Sequence, residues 1–152
     1  MRGVENLRFK LEQLSFLSSQ YIARVSTSTS GSVPHVSPVY FVADDESLFI
    51  ATGKETTKYK DKSQNPVSSI VVDHFDADWL HGKQGYASKE RAIIILGKTT
   101  ILENGPNYRA LHSSFMEKYP DFKAVPSKLG EPPIIKINAD KIWDHSFVST
   151  GQ

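Results

Sequence analysis

The sequence has 152 residues, a formal net charge of +1 and no cysteine. This length predicts one domain over residues 1–152, and the near-neutral charge argues against nucleic acid or an acidic membrane surface as a partner. The lack of cysteine excludes disulfides and thiolate catalysis, and no apolar run approaches the roughly 20 residues of a membrane span. We therefore expect a soluble cytoplasmic protein with no membrane partner.

Apolar residues at helical spacing mark the start of the chain. The pattern predicts an amphipathic helix over residues 4–17, because positions three and four apart share one helix face. We expect this helix to cover the core, within an N-terminal segment of residues 1–18. Its predicted apolar stripe consists of Val4, Leu7, Leu11, Leu14 and Leu17.

Two stretches of alternating polarity follow and predict a hairpin. Residues 21–27 form the first strand, residues 27–32 form a polar turn, and residues 33–43 form the return strand. Pro38 falls inside the return strand, and proline cannot donate to a strand ladder. We interpret it either as an ordinary edge position or as a place where a flat ring system packs against the backbone.

The remaining elements alternate between strands and one helix. Gly97 interrupts a long strand and indicates a bulge or a close backbone approach. A helix is predicted to begin at Gly105-Pro106 and to end before Pro120, ahead of a proline-rich loop at residues 120–133. The further predicted strands are residues 47–52, 67–75, 91–102 and 134–143, the last with a kink near 138–140, and residues 76–89 are predicted to form a loop.

These elements predict a mainly β fold with flanking helices. About six strands joined by turns and single helices are typical of a closed or nearly closed antiparallel barrel. The first three strands follow one another through tight turns, which leave no room for the crossovers of a parallel sheet. A parallel doubly wound fold is therefore not expected.

The stretch from Phe49 to Pro66 resembles a phosphate cradle. A strand breaks at Gly53, and a short polar helix must end before Pro66 because a residue preceding proline avoids the α region. A helix start offers free N–H groups and a positive dipole end, both of which favour an anion. An N-capped surface helix explains the same local pattern. The hydroxyls and charges at this place come from Thr52, Lys54, Thr56, Thr57 and Lys58.

The sequence shows no set of residues for catalysis by the protein alone. Its five histidines are scattered, so no metal site is predicted, and it contains no nucleophile elbow, dinucleotide fingerprint or Walker loop. If the protein is an enzyme, an organic cofactor is expected to supply the chemistry while the protein positions it. Catalytic residues are not predicted.

An ordered series of motifs resembles the pyridoxamine 5′-phosphate oxidase-like split-barrel proteins, which bind flavin mononucleotide (FMN) or the deazaflavin coenzyme F-420. The resemblance extends from about residue 15 to the C-terminus and implies a six-stranded antiparallel split β-barrel of Greek-key type. Residues 73–79 followed by Lys118-Tyr119-Pro120 are similar to a branch associated with deazaflavin. The series comprises residues 23–27, Gly31, 34–39, 49–53, Lys58, Asn65-Pro66, 71–73, Glu90-Arg91, Gly97, 118–120 and Ile142-Trp143.

The resemblance also implies a cofactor site. The strand matching residues 35–39 would lay its backbone along the isoalloxazine ring, while Thr52, Thr56 and Lys58 would hold the phosphate. Trp143 would approach from a second subunit, because the family forms homodimers with two sites at the interface. The complete set of implied cofactor-binding residues is His35, Val36, Ser37, Pro38, Val39, Thr52, Thr56, Thr57, Lys58 and Trp143.

Four positions depart from the oxidase pattern. The oxidase has arginine where this chain has Ser37 and Thr57, lysine at Val42 and glutamine at Ala92, and its terminal substrate-binding arginine has no match here. These departures argue against oxidation of pyridoxamine phosphate. The leading hypothesis is an FMN-binding oxidoreductase that passes hydride to or from a small-molecule electron acceptor or donor at a homodimer interface. The alternatives are an F-420-dependent reductase, a non-catalytic flavin- or haem-binding protein, and a barrel that has lost its ligand.

Overall fold

A computed structural model describes residues 7–28, 31–52, 66–75, 88–120 and 132–149. The mainly β class with flanking helices is confirmed. Neither helix in these ranges is long and apolar enough to cross a membrane. The elements are α1 (Leu11–Ser19), β1 (Ala23–Ser28), β2 (Pro34–Val39), β3 (Phe41–Ala43), β4 (Ser47–Ala51), β5 (Val67–His74), β6 (Ser88–Leu102), α2 (Pro106–Lys118), β7 (Ile134–Asn138) and β8 (Lys141–Ser149).

The strands form one antiparallel path, and the strands at its two ends are neighbours in the sequence. The order is β2-β1-β5-β6-β7-β4-β3, and β8 pairs with β6 beside β7. The end strands β2 and β3 are separated by a single residue, Tyr40. The path therefore curls until the chain itself joins its ends, as in a split barrel, and the predicted antiparallel fold is confirmed. Eight strands appear in the described ranges because the predicted strands at 33–43 and 134–143 are each divided in two.

The barrel interior is built by alternation along each strand. Cross-strand partners such as Val25 and Ile70 share the inner face, and Ile70 in turn pairs with Ile95. Leu17 of α1 closes one end and is fully buried. Burial of these branched side chains supplies most of the folding free energy. The inner cluster contains Phe9, Leu17, Ala23, Val25, Val39, Phe41, Leu48, Ile50, Ile70, Val72, Ile93, Ile95, Ile135, Ile137 and Ala139.

A second cluster lies under α2, outside the β3–β4–β7 part of the barrel. Tyr108 and Phe115 of α2 are buried there against Val42 and Phe49. The predicted apolar side of this helix is confirmed, as is its start at Gly105-Pro106, since proline is tolerated where the first N–H has no helical partner.

The prediction for the N-terminal helix is partly wrong. Within the described residues the helix begins at Leu11, and Leu11 is 87% exposed although it was placed on the apolar stripe. The Lys10 N–H donates to the Gln13 side chain at 2.8 Å, which ends the extended segment and starts the helix. Gln13 itself is buried and donates to Asp144 at 3.1 Å. Polar contacts to β8 therefore set the rotation of α1. The helical spacing of the leucines does not show these contacts.

Gly97 is a site of close backbone approach, as predicted. A Cβ atom at this position would lie 1.6 Å from the carbonyl oxygen of Asn138. Immediately beyond it, the Asp140 carboxylate accepts a hydrogen bond from the Lys98 N–H at 2.8 Å. Gly97 thus lets the β7–β8 kink press against β6 at the point where β6 changes partner from β8 to β7.

Candidate functional site

The hydroxyl of Tyr119 lies between two backbone segments where β1 and β3 separate. Extending the β1–β2 register by two residues beyond Ala23 and Val39 brings Tyr21 opposite Phe41. The Phe41 N–H donates to the Tyr119 hydroxyl at 3.0 Å, and that hydroxyl lies 2.8 Å from the Tyr21 carbonyl oxygen. We call this place the β1–β3 seam. A side chain therefore replaces the strand pairing at the split of the barrel.

Among the described residues, no strand pairs with the edge of β2 that faces away from β1, and we call this the open edge of β2. In an extended strand, the N–H and C=O of one residue point to the same edge, and those of the next residue point to the opposite edge. Since the Phe41 N–H points toward the β1 side, the backbone polar groups of Val36 and Pro38 point to the other side. β2 is also an end of the strand path. Pro38 lacks an N–H, so its position on an unpaired edge agrees with the edge interpretation. The backbone groups available there are the N–H of Val36 and the carbonyls of Val36 and Pro38.

Thr52 lies where β4 ends. The β3–β4 pairing ends at Phe41 and Ile50, so Thr52 follows the last paired residue of β4 by two positions. Thr52 is 5% exposed, and its N–H donates to the Pro133 carbonyl at 3.2 Å. The structure thus places one predicted phosphate residue just after the paired end of β4, on the chain that leads into the segment with Lys58.

Ser37 carries an unsatisfied buried hydroxyl. It pairs across the barrel wall with Val25, which places its side chain on the inner face of β2. Its Oγ is buried and has no hydrogen-bond partner among the residues that the structure describes. An unsatisfied buried hydroxyl costs about 1–3 kcal/mol, so such groups in folded proteins usually mark a missing partner. Half-buried His35 lies two residues away on the same face.

Trp143 and Pro38 lie at opposite ends of one cross-strand row. The row occupies the outer face of the sheet and runs through Arg24 on β1, Val71 on β5 and Ile94 on β6. At about 4.8 Å between neighbouring strands, four steps separate Pro38 from Trp143 by about 19 Å. One ring system cannot contact both residues of the same chain. Trp143 is 42% exposed and stands free to contact another molecule.

A family comparison decides which group of proteins this architecture represents. The family model described as pyridoxamine 5′-phosphate oxidase matches residues 9–146. This chain belongs to the pyridoxamine 5′-phosphate oxidase family. The family resemblance seen in the ordered motifs is thereby confirmed. No curated protein matches the sequence.

Several solved structures share this fold at low sequence identity. A conserved hypothetical protein of Mycobacterium tuberculosis superposes with a TM-score of 0.71 at 16% identity, covering 93% of this chain and 88% of its own. The haem storage protein HutZ of Vibrio cholerae gives a TM-score of 0.70 at 16% identity, covering 95% and 97%. An FAD-binding protein of Mesorhizobium loti gives 0.67 at 16% identity, covering 92% and 96%. Because all three identities are this low, the likeness concerns the fold alone.

Three predicted phosphate residues of this pyridoxamine 5′-phosphate oxidase family member lie outside the described residues. They are Thr56, Thr57 and Lys58, in the segment 53–65 that follows Thr52. The short helix predicted there and most of the loop at 76–89 fall outside as well. The grouping of Lys58 with the open β2 edge therefore stays a prediction.

Lys118 and Tyr119 belong to the Lys118-Tyr119-Pro120 motif. Both face the β1–β3 seam, away from the open β2 edge. The Lys118 ammonium lies 3.8 Å from the centroid of the Phe41 ring and 3.4 Å from the Leu17 carbonyl oxygen. Burial lowers the pKa of Lys118 to about 8. Burial also raises the pKa of Tyr119 to about 12, opposed by the hydrogen bond with the Phe41 backbone. The sequence pattern does not predict that Tyr119 bridges two backbone segments, because only the fold brings residue 119 to residue 41.

Acidic and histidine side chains do not form a metal site in the part of the chain that the structure describes. No group of three such residues comes close enough to hold an ion there. Asp73 instead pairs with Arg24 on the outer face of the sheet. Asp144 pairs with Arg91 at 2.6 Å, which lowers the pKa of Asp144 and raises that of Arg91. These carboxylates are therefore committed to charge pairs between strands.

Proposed function

We propose that this family member binds a flavin along the open edge of β2 and acts as an oxidoreductase, with FMN as the first candidate. Within the described ranges, β2 has an unpaired edge and the buried Ser37 hydroxyl has no hydrogen-bond partner, and this combination carries the proposal. The pyrimidine side of a flavin carries alternating hydrogen-bond donors and acceptors. It can pair with the Val36 N–H and with a carbonyl on the same edge, as a neighbouring strand would.

The residues present fit such a ring system. Ser37 can donate to or accept from a ring oxygen or nitrogen, which would satisfy its Oγ. Pro38 offers a flat, rigid surface with no N–H that would need a partner. Thr52 follows β4 and leads into the segment with Lys58, and we propose that these two residues hold the ribityl and phosphate end. A bound flavin supplies hydride transfer at its central ring, and the protein's part is to hold that ring and to keep water from it.

We further propose that the protein acts as a homodimer through the outer face of the β2-β1-β5-β6-β8 sheet. Val36 is 64% exposed and Trp143 is 42% exposed on this face, with half-buried Val71 and Ile94 between them. The Arg24–Asp73 ion pair lies on the same face, so apolar side chains flank a charged pair there. Exposed apolar residues grouped on one face are typical of an interaction surface. Trp143 lies about 19 Å from Pro38 in its own chain, so Trp143 of the partner subunit is the one that would reach the cofactor.

Pyridoxamine phosphate is not proposed as the substrate. Val42 stands where the oxidase has a lysine, and it is only 7% exposed beneath α2. Ala92 replaces a glutamine, and Ser37 replaces an arginine. With these substitutions the chain lacks several charged and polar contacts that a phosphorylated substrate and cofactor would receive in the oxidase. We propose a different small-molecule electron donor or acceptor.

F-420 is the second candidate cofactor. Its deazaflavin ring offers the same pyrimidine side to the β2 edge, and the motif at residues 118–120 is similar to a deazaflavin-associated branch. A non-catalytic role is the other candidate, since the similar HutZ structure is a haem storage protein. Reduction of bound FMN by NAD(P)H, or its failure, separates an oxidoreductase from a flavin carrier.

The experiment that tests the proposal is an absorption spectrum of the purified protein with mass spectrometry of any small molecule that co-purifies. Titrations with FMN, F-420 and haemin follow on the same preparation. We expect saturable binding of FMN or F-420 at one per chain. Saturable binding of haemin alone, or of none of the three, would overturn the flavin proposal.

A further inference from the structure

The Lys118 amine is enclosed by aromatic rings. Its Nζ lies 3.8 Å from the Phe41 ring centroid, 5.5 Å from that of Tyr119 and 5.8 Å from that of Tyr21. Tyr40 stacks on Tyr119 at 4.6 Å and extends this wall. Phe41 is fully buried, whereas Tyr21 is 59% exposed, so the enclosure is closed on the core side and open toward solvent.

The amine receives little polar compensation in this enclosure. Its hydrogen bond to the Leu17 carbonyl is long, at 3.4 Å. Among the described residues no carboxylate forms an ion pair with it. The titratable side chains that face it are the phenols of Tyr21 and Tyr119. The rings attract the cation, but burial acts in the opposite direction and favours the neutral amine.

A desolvated lysine is a nucleophile near neutral pH. The neutral amine has a free lone pair, and the protonated form that exposed lysines keep does not. Burial lowers the pKa of Lys118 to about 8, so a substantial fraction of the amine is neutral at pH 7.5. Exposed lysines with a pKa near 10.4 are about 0.1% neutral at that pH.

We propose that Lys118 is a site of N-acylation by small acyl phosphates. The Lys118 Nζ lone pair attacks the carbonyl carbon of the acyl phosphate, a C–N bond forms, and the C–O bond to phosphate breaks. Inorganic phosphate leaves with the bonding electrons, and solvent takes the proton lost from Nζ. The product amide is neutral, so it no longer bears the desolvation cost of the cation, and its N–H can still donate to the Leu17 carbonyl. This inference is independent of flavin binding.

The test is the initial rate of acetylation of each lysine by acetyl phosphate, measured by peptide mass spectrometry on the full chain. Lys98 and Lys141 serve as matched controls, because both are exposed lysines of the described structure. At pH 7.5 we expect Lys118 to react about 5-fold faster than either control, since its larger neutral fraction outweighs its partial burial. We also expect its rate to level off near pH 8 while the control rates keep rising. A Lys118 rate at or below the controls, or a pH profile that parallels theirs, would overturn the proposal.

A second variant separates activation by burial from simple accessibility. Tyr21→Ala removes the most exposed ring of the enclosure and keeps the backbone carbonyl that Tyr119 contacts. If burial activates the amine, admission of water restores an ordinary pKa and slows acetylation at pH 7.5 by about 3-fold or more. Faster acetylation in Tyr21→Ala would mean that access alone limits the reaction, and would contradict the proposed activation.

Discussion

Tyr119 holds both backbone polar groups of Phe41 through one hydroxyl. The Phe41 N–H donates to it at 3.0 Å, and the Phe41 carbonyl oxygen lies 2.9 Å away. The same hydroxyl reaches the Tyr21 carbonyl at 2.8 Å. Since a hydroxyl has one proton, it donates to one carbonyl at a time. The β1–β3 seam is therefore closed by a side chain at the point where strand pairing fails.

Removal of this hydroxyl is expected to destabilise the protein. Tyr119→Phe keeps the ring and its stacking but leaves the buried Phe41 N–H without its partner, which should lower the free energy of unfolding by about 2–3 kcal/mol. Urea denaturation followed by circular dichroism measures this. Tyr40→Phe is the control: Tyr40 stacks on the same ring and is 47% exposed, so we expect a change below about 0.5 kcal/mol. Equal effects of the two substitutions would refute the bridging role.

The lowered pKa of Lys118 predicts a pH dependence of stability. The unfolded state keeps its proton up to an ordinary pKa of 10.5, while the folded state releases it near 8. The unfolded state therefore binds more protons between these values, and this group's contribution to stability rises with pH from about 8 to 10.5. Because Lys118 is about half exposed, we expect a rise of only about 1–2 kcal/mol.

The comparison of wild type with Lys118→Met isolates this contribution. The free energy of unfolding of the wild type minus that of the variant should increase as the pH rises from 7.5 to 10. Tyr119, whose pKa burial raises to about 12, is present in both proteins and cancels in the difference. A difference between the two proteins that stays flat across this range would show that the Lys118 amine is not desolvated.

Gly97 is expected to tolerate no side chain. In Gly97→Ala the new Cβ would meet the Asn138 carbonyl oxygen at 1.6 Å, and neither atom can move away without a shift of the backbone. We expect a loss of more than about 3 kcal/mol in the free energy of unfolding, or failure to fold. Gly105→Ala is the matched control. Its φ of 99° is unfavourable for alanine, but no atom lies within 4 Å of the new Cβ, so the loss should be about 1 kcal/mol.

The proposed dimer face predicts the effect of a charge on the oligomeric state. Ile94 lies beside Trp143 in the Pro38–Trp143 row, and Ile94→Arg would bury a guanidinium without a partner if a second copy covers the face. We expect the wild type to sediment as a dimer in analytical ultracentrifugation at micromolar concentration, and the variant to sediment as a monomer. Leu11→Arg, on the 87% exposed residue of α1, should leave the dimer unchanged. An Ile94→Arg protein that still sediments as a dimer would place the interface elsewhere.

The strands were predictable because alternation along each strand reports which face is buried. Residues 67–75 and 91–102 were predicted within a few residues of β5 and β6, and a bulge or a close backbone approach was predicted at Gly97. The rotation of α1 was not predictable. Gln13 is buried because it donates to Asp144, a contact across 131 residues that a local hydrophobic pattern cannot report.

The candidate site was predictable only in part, for the same reason. Pro38 indicated an unpaired edge because proline lacks an N–H, which is a local property. The partnerless Ser37 hydroxyl and the Tyr119 bridge depend on which strands meet, and no local pattern at Ser37 or Tyr119 encodes that. The roles of Thr56, Thr57 and Lys58 rest on the family resemblance and stay predictions.

The phosphate end of the proposed site has its own test. Lys58→Ala should weaken FMN binding by about 1–3 kcal/mol, the range for loss of a charge-assisted hydrogen bond. Isothermal titration calorimetry on the wild type and the variant measures the difference. Lys98→Ala, which removes an exposed lysine from the end of β6, is the control and should bind FMN as the wild type does. Unchanged affinity in Lys58→Ala would remove this residue from the site.

The most direct test of the central proposal is the affinity of the Ser37→Ala variant for FMN and F-420, measured by fluorescence titration beside the wild type. The account predicts saturable binding of at least one of them to the wild type, at one per chain. It also predicts a roughly 5- to 10-fold weaker Kd in Ser37→Ala, since one hydrogen bond contributes about 1 kcal/mol. No saturable binding of either cofactor to the wild type, or an identical Kd in the variant, would contradict the account.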